Sequence, residues 1–259
     1  MHFYKYQALG NDYVVIDPSE YPVLLKQQVQ KICNRHYGVG ADGVLYGPLY
    51  KASDVPEVRI YNADGSIAEI SGNGLRIFAQ YLKDQNFFQK NFFSLKSSDT
   101  RIVKGYFMNN GNIVMEWGQV RFKGSDKTVT VGGMQITYTG VDVGNPHCVI
   151  LDDLQDHTLC KQIGAQIENH SDFEHGTNVQ FLKVVDRKNI EIIIWERGSG
   201  YTLASGSSSI AAAAVAFKKG MCDSHITVHM PGGELQVIFD ETFQAILIGE
   251  AKKVFEGTI

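Results

Sequence analysis

The sequence predicts a mixed α/β (α+β) fold of two pseudo-symmetric halves. Each half is a curled, mostly antiparallel sheet around one central buried helix, with an active site expected in the cleft between them. The first observation behind this is a weak internal repeat. Gly10-Asn11-Asp12-Tyr13-Val14-Val15-Ile16 resembles Gly144-Asn145-Pro146-His147-Cys148-Val149-Ile150, Glu57-Val58-Arg59-Ile60-Tyr61 resembles Glu191-Ile192-Ile193-Ile194-Trp195, and Ser71-Gly72 recurs as Ser205-Gly206. The differences 144 − 10, 191 − 57 and 205 − 71 are all 134, about half of the 259 residues. Three matches at one spacing, in one order, point to duplication. The second observation is a shared local grammar: an alternating, β-branched strand enters a Gly-rich turn, and a short polar stretch then leads into Ser-Gly and a small-residue helix. The third is the run Ile210-Ala211-Ala212-Ala213-Ala214-Val215-Ala216-Phe217, apolar nearly all round, as a fully buried helix requires.

Taken along the chain, strands are expected at 3–6 and 13–16, then at 58–61 before the turn at Asp64-Gly65. A helix follows over about 73–83. Strands at 101–108, 112–117, 128–131 and 134–141 complete the first half and open the second, with Gly132-Gly133 as a hairpin turn. The second half repeats the pattern: a strand at 192–195, a helix over about 207–219, and strands at 226–230, 235–239 and 245–249 broken by Gly232-Gly233. The domain division expected is 1–117 plus a C-terminal strand at about 250–259, and 118–249.

Composition removes several function classes. With 44% hydrophobic and 20% charged residues the chain is globular and long enough to build a core without staples. Twenty-four Lys and Arg against 28 Asp and Glu give a net charge of −4, and the densest basic groups are pairs such as Lys218-Lys219 and Lys252-Lys253. No nucleic-acid partner is expected from such a surface. The four cysteines, Cys33, Cys148, Cys160 and Cys222, form no CxxC pair, so neither a disulfide framework nor a metal site is indicated. The N-terminus lacks a signal-peptide apolar region and the longest apolar run, 210–217, is too short to span a bilayer. A cytoplasmic location and no membrane partner are therefore expected.

The paired Ser-Gly steps suggest chemistry. A helix N-terminus carries partial positive charge and unsatisfied N–H donors, and so binds carboxylates. Two such termini facing one cleft would clamp a carboxylate, and a residue at each cap would face the α-carbon from opposite sides. That suits inversion, one residue removing a proton and the other delivering one. The positions are Ser71 and Ser205. The plainer reading of two such serines is as ordinary N-caps.

The residues around them resemble a known family. Asn62-Ala63-Asp64-Gly65-Ser66, Ala68-Glu69-Ile70-Ser71-Gly72-Asn73-Gly74-Leu75-Arg76, Glu196-Arg197-Gly198-Ser199-Gly200 and Leu203-Ala204-Ser205-Gly206 are similar to the motifs of diaminopimelate epimerases. So are Leu9-Gly10-Asn11-Asp12, Gly40-Ala41-Asp42-Gly43, Gly144-Asn145-Pro146-His147, Thr177-Asn178-Val179 and Pro231-Gly232-Gly233-Glu234. The resemblance implies a cofactor-free isomerase that interconverts LL- and meso-diaminopimelate in lysine and peptidoglycan-precursor synthesis, acting as a homodimer on this small molecule. By position it implies a substrate-binding set of Asn11, Asn62, Asn145, Asn178, Glu196 and Arg197. The backbones of Gly72, Asn73, Gly206 and Ser207 would cradle the α-carboxylate, and His147 would orient its neighbours. Arg197 suits bidentate capture of a carboxylate, and the asparagines read charged groups without adding charge.

One departure matters. In the family the two acid/base residues are cysteines, whereas this chain has Ser71 and Ser205, and none of its four cysteines holds a motif position. A thiol ionises near pKa 8.5, while water at 15.7 stands in for an alcohol. Three readings are open: a deliberate double replacement giving an impaired enzyme that retains substrate, a divergent natural member with altered proton chemistry, or a binding module without catalysis. Ser207-Ser208 after the second Ser-Gly supports divergence. Among enzymes of the same fold, a proline- or hydroxyproline-type racemase, or a related isomerase, is the alternative.

Overall fold

The computed structural model describes residues 1–49, 55–68, 70–98, 100–152 and 156–259. Glu69, part of the motif that precedes Ser71, lies outside the described residues. The described chain forms two compact units, Met1–Glu116 with Gly249–Ile259, and Trp117–Ile248.

In the first unit β1 (His2–Ala8) turns at Leu9-Gly10 into antiparallel β2 (Asn11–Ile16). Helix α1 (Lys26–Cys33) then crosses over to β3 (Gly43–Leu49), which lies parallel to β2. β4 (Glu57–Asn62) returns antiparallel, and α2 (Gly72–Asp84) is the second crossover, to β5 (Phe92–Lys96), parallel to β4. β6 (Ile102–Phe107) and β7 (Ile113–Gln119) continue antiparallel. The C-terminal strand Lys252–Thr258 pairs antiparallel with β1.

The second unit adds β8 (Arg121–Phe122) and β9 (Lys127–Val131), both antiparallel to β10 (Met134–Asp142). From β10 the first unit's sequence of pairings recurs. β11 (Pro146–Leu151) is antiparallel to β10, α3 (His157–Glu168) crosses to β12 (Asn178–Asp186) parallel to β11, and β13 (Asn189–Glu196) returns antiparallel. After the short hairpin strand β14 (Gly200–Thr202), α4 (Gly206–Lys218) crosses to β15 (His225–Met230), parallel to β13. β16 (Gly233–Phe239) and β17 (Gln244–Gly249) close antiparallel. The mixed α/β fold of two like halves is thus present: each parallel pair is joined by a helix, because a parallel connection needs a crossover.

The two central helices are each 13 residues long and are buried along most of their length. In α2, Leu75, Ile77, Phe78, Ala79, Tyr81 and Leu82 are all at most 2% exposed. In α4 Ile210 and the alanines from Ala211 to Ala216 are enclosed, and their small side chains let strands lie close to the helix axis. No helix among the described residues is long and apolar enough to cross a membrane.

Several elements were not anticipated. α1 is a weak helix by sequence: it has eight residues, of which only Val29, Ile32 and Cys33 are buried, and its start at Leu25 is held by the Gln28 side chain accepting from Leu25 N–H at 2.8 Å. α3 carried a readable signal. Asp156 caps it by accepting from Thr158 and Leu159 N–H, and Cys160, Ile163, Gly164 and Ile167 form its buried stripe. β12 lacks alternation because Asn178 to Leu182 are buried on both faces, as a strand with a parallel neighbour on one side tends to be.

α3 packs on β13 at a point where only glycine fits. A Cβ on Gly164 would lie 2.7 Å from Trp195 Cβ and 2.9 Å from its Cγ. Gly164→Ala should gain about 1 kcal/mol of helix propensity but lose more, on the order of 1–3 kcal/mol, by pushing α3 off the strand. Urea unfolding should show a lower midpoint; a raised one would show that α3 can shift freely.

Candidate active site

Each helix start is built the same way. Ser71 precedes α2 in extended backbone, φ −137° and ψ 116°, and its Oγ accepts from Gly74 N–H at 3.0 Å. Ser205 precedes α4 with φ −146° and ψ 128°, and its Oγ accepts from Ser208 N–H at 3.4 Å. Both serines are therefore N-caps, which the plainer reading expected. Capping leaves other first-turn donors, those of Gly72, Gly206 and Ser207, without an intrahelical acceptor. Neither helix has an acidic residue in its first turn, so the positive end of each dipole is not neutralised from within.

The first unit surrounds its helix start with polar side chains anchored by charge. Arg76 is fully buried, donating to Asn73 Oδ1 at 2.5 Å and Gly72 O at 3.3 Å, and its Nε lies 3.4 Å from Glu250 O. Asn73 in turn donates from Nδ2 to Asn11 Oδ1 at 3.2 Å, and Asn11 donates from Nδ2 to Asp42 Oδ2 at 2.9 Å. Arg76 can only donate and the Asp42 carboxylate can only accept, so the orientation of both amides between them is fixed. Asp42 and Asp12 are bridged by Arg35 at 2.7 Å to each, and Lys5, almost completely buried, pairs with Asp12 at 2.5 Å. Burial would raise the Asp12 carboxyl, but hydrogen bonds from Arg35 and Lys5, with the charge of Lys5, outweigh it and hold the pKa at about 2. Ser71 gains a further contact: Tyr13 OH lies 3.2 Å from its Oγ. Asn62 starts the Gly-rich turn, donating to Ser66 Oγ at 2.9 Å.

In the second unit Asn178 ties two motif segments together. Its Nδ2 donates to Pro146 O at 2.9 Å and its Oδ1 accepts from Arg197 N–H at 3.1 Å. The Arg197 guanidinium donates to His175 O at 3.1 Å. Beside it Glu168 accepts from Gly198 N–H and from Trp195 Nε1, both at 2.7 Å, and so pins the turn that carries Glu196 and Arg197. Asn145 Oδ1 lies 3.0 Å from His147 Nε2, and burial pushes the His147 pKa down to about 4. Ser207 Oγ sits 3.4 Å from Ser205 Oγ. Thus Asn11, Gly72 and Asn73 gather at the α2 start. Asn145 neighbours His147, Asn178 holds Arg197, and Gly206 and Ser207 open α4. Glu168, Tyr13, Arg76 and Gln180 were missed. Arg76 lay within the quoted motif and could have been singled out as a cation on an otherwise apolar helix.

The remaining cysteines are poor acid/base groups. All four are buried. Desolvation pushes Cys33 and Cys160 up to about 11 and also raises Cys148 and Cys222, so each stays a thiol at neutral pH. Among the described residues no group of three or more His, Cys, Asp or Glu side chains is placed to hold a metal ion.

The duplicated fold recurs in solved proteins. A hydroxyproline epimerase from Agrobacterium vitis matches with a TM-score of 0.77 at 11% identity, over 99% of this chain and 91% of that one. A phenazine biosynthesis protein of the PhzF family from Bacillus anthracis matches at 0.73 and 15% identity, over 99% and 98%. The fold is therefore one shared with these two proteins. Within it the sequence is more specific. The profile of the diaminopimelate epimerase family matches residues 3–123 and 139–254. Diaminopimelate epimerase 2 of Nostoc sp. is 42% identical over all of this chain and 95% of its own length, and the diaminopimelate epimerase of Caldanaerobacter subterraneus 35% identical over 100% and 99%. The chain belongs to the diaminopimelate epimerase family and is an isomerase by that membership.

The Asp12 network gives a pH signature. Its depressed pKa means that the carboxylate stabilises the fold at pH values above its ordinary range near 3.9, and that this contribution is lost as pH falls through about 2. Asp12→Asn should therefore lower stability at pH 7, with the difference from the unaltered chain closing between pH 4 and 2. A difference that stays constant over that range, measured by urea unfolding, would remove Asp12 from the charged network.

Proposed function

We propose that this chain carries the diaminopimelate epimerase site, with native chemistry that is a cofactor-independent, two-base inversion at the α-carbon interconverting LL- and meso-diaminopimelate. The observation that carries this is the equivalence of Ser71 and Ser205: both cap 13-residue buried helices, and the family resemblance puts the acid/base cysteines at these two positions. In the proposed reaction the group at one position takes the α-proton while that at the other delivers one to the opposite face, and the roles exchange with direction. First-turn backbone N–H groups of Gly72, Asn73, Gly206 and Ser207 hold the α-carboxylate. Their partial positive charge favours the negative charge that develops on it as the proton leaves. Asn11, Asn62, Asn145, Asn178, Glu196 and Arg197 bind the rest of the molecule, with Arg197 on the distal carboxylate, and His147 orients its neighbours. Two carboxylates and two amino groups need such a set of donors and acceptors, which favours diaminopimelate over a monocarboxylic amino acid.

Serine changes the rate. Forming an alkoxide in place of a thiolate crosses a pKa gap of about 7 units, roughly 10 kcal/mol as an upper bound. Recovering half of that by positioning still leaves a rate a few thousandfold lower. The chain as it stands is therefore proposed to bind diaminopimelate and to epimerise it near background. A homodimer in the cytoplasm completes the proposal.

Ser71→Cys and Ser205→Cys together should raise solvent-deuterium entry at Cα of LL-diaminopimelate by at least about a thousandfold. A restored protein that binds substrate without exchange would sink the epimerase reading. Arg197→Ala should weaken diaminopimelate binding well over tenfold by calorimetry, because it strands a carboxylate. Unchanged affinity would take Arg197 out of the site.

A further inference from the structure

Glu168 is the last residue of α3, where the negative end of the helix dipole disfavours a carboxylate, and no basic residue stands in that last turn to offset it. Glutamine has nearly the same helix propensity and would avoid the penalty. What the acid gains is two N–H donors at once. Its Oε2 accepts from Trp195 Nε1 and its Oε1 from Gly198 N–H, both at 2.7 Å, short distances that fit a charged acceptor. An amide has one accepting and one donating end, so a glutamine here would set its NH2 group against one of these two N–H groups.

The two donors stand on either side of Glu196 and Arg197. Trp195 and Glu196 pair with Tyr201 and Gly200 in the β13–β14 hairpin, and Gly198 lies in its turn. The carboxylate therefore clasps the turn from both ends. Glu168 also holds a second segment, through its backbone: its carbonyl accepts from Thr177 N–H at 3.2 Å. Just before Thr177, His175 O accepts from the Arg197 guanidinium at 3.1 Å. Gly176, with φ +71°, follows His175, and a Cβ there would lie 3.2 Å from Arg197 Cδ. Just after Thr177, Asn178 Oδ1 accepts from Arg197 N–H at 3.1 Å. One residue thus anchors both the turn that carries Arg197 and the segment against which its side chain lies.

We propose that Glu168 is a positioning residue, required as a carboxylate, that sets Arg197 and Glu196 for the distal end of the substrate. This rests on the reading of Arg197 and Glu196 as substrate-binding residues. An arginine already held through its guanidinium and along its stem gives up little freedom when it pairs with a carboxylate, so the clasp contributes affinity. It also accounts for an acid at a helix end that electrostatics alone would leave to a neutral residue.

Glu168→Gln keeps the size of the side chain and tests the need for the carboxylate. Hydrogen exchange in the isotope-labelled full chain reads the clasp without substrate. The Trp195 indole N–H, assigned through Trp195→Phe, or the Gly198 amide should exchange about tenfold faster in Glu168→Gln, while the Ala212 and Ala213 amides of α4 keep their rates. Unchanged rates at both positions overturn the clasp, and so does an equal rise in α4, which marks a general loss of stability. Diaminopimelate affinity by calorimetry should fall about tenfold in Glu168→Gln. In an Arg197→Ala background the same change should cost less than about twofold, because it acts through that turn. In the cysteine-restored protein Glu168→Gln should raise KM with kcat within about twofold. Unchanged affinity, or an equal loss in both backgrounds, overturns the positioning role. If the exchange result is as expected but the unaltered chain has no diaminopimelate affinity, the substrate reading falls and the clasp stands.

Discussion

The start of one buried helix sets the requirements for everything around it in each half of the protein. A helix enclosed by sheet must still satisfy, or put to use, the N–H groups of its first turn. Here one serine hydroxyl takes one of them, and no acidic residue in the helix's own first turn neutralises the rest. The strands and turns nearby are then constrained to bring groups that complement a positively polarised helix end.

The two halves meet it by different means, although their topology is the same. In the first, an amide relay is anchored at both ends by ions, with Arg76 buried at one end and the Asp12, Asp42, Arg35 and Lys5 cluster at the other. In the second, Asn145 lies against a buried histidine, His147, and neither takes part in an ion pair among the described residues, while Gln180 donates to Ser208 Oγ at the start of α4. Duplication preserved the series of strand pairings while the polar cores diverged. The reason is that strand pairing is set by backbone and apolar pattern, which tolerate drift, whereas a buried polar network must be satisfied as a unit and is rebuilt as one.

The serine pair has to be weighed against this background. A hydroxyl at a helix N-cap is a good structural group, and both serines make capping hydrogen bonds. It is a poor base, because the alkoxide lies far above neutral pH even with a favourable dipole beside it. Buried thiols elsewhere do not compensate, since desolvation holds every one of the four as a neutral S–H. Family membership and the chemistry available at positions 71 and 205 are therefore separate facts about this chain.

The sequence by itself determined the duplication, the two central helices and the positions of both cap serines. Periodicity and a constant offset depend only on the order of residues, and the all-apolar run from Ile210 cannot be anything but buried. It did not reveal α1, whose few buried residues make a weak pattern, or β12, whose continuous burial has no alternation to read. The asparagines and Arg197 of the proposed site were visible as motif positions, but the residues that hold them were not. Glu168 pins Gly198 from 30 positions away, Arg76 turns Asn73 toward Asn11, and Gln180 reaches Ser208 across 28 residues. Such partners leave no local trace, because a hydrogen bond between distant segments exists only once the sheet register has brought them side by side. The tertiary structure alone decided which way the polar groups face.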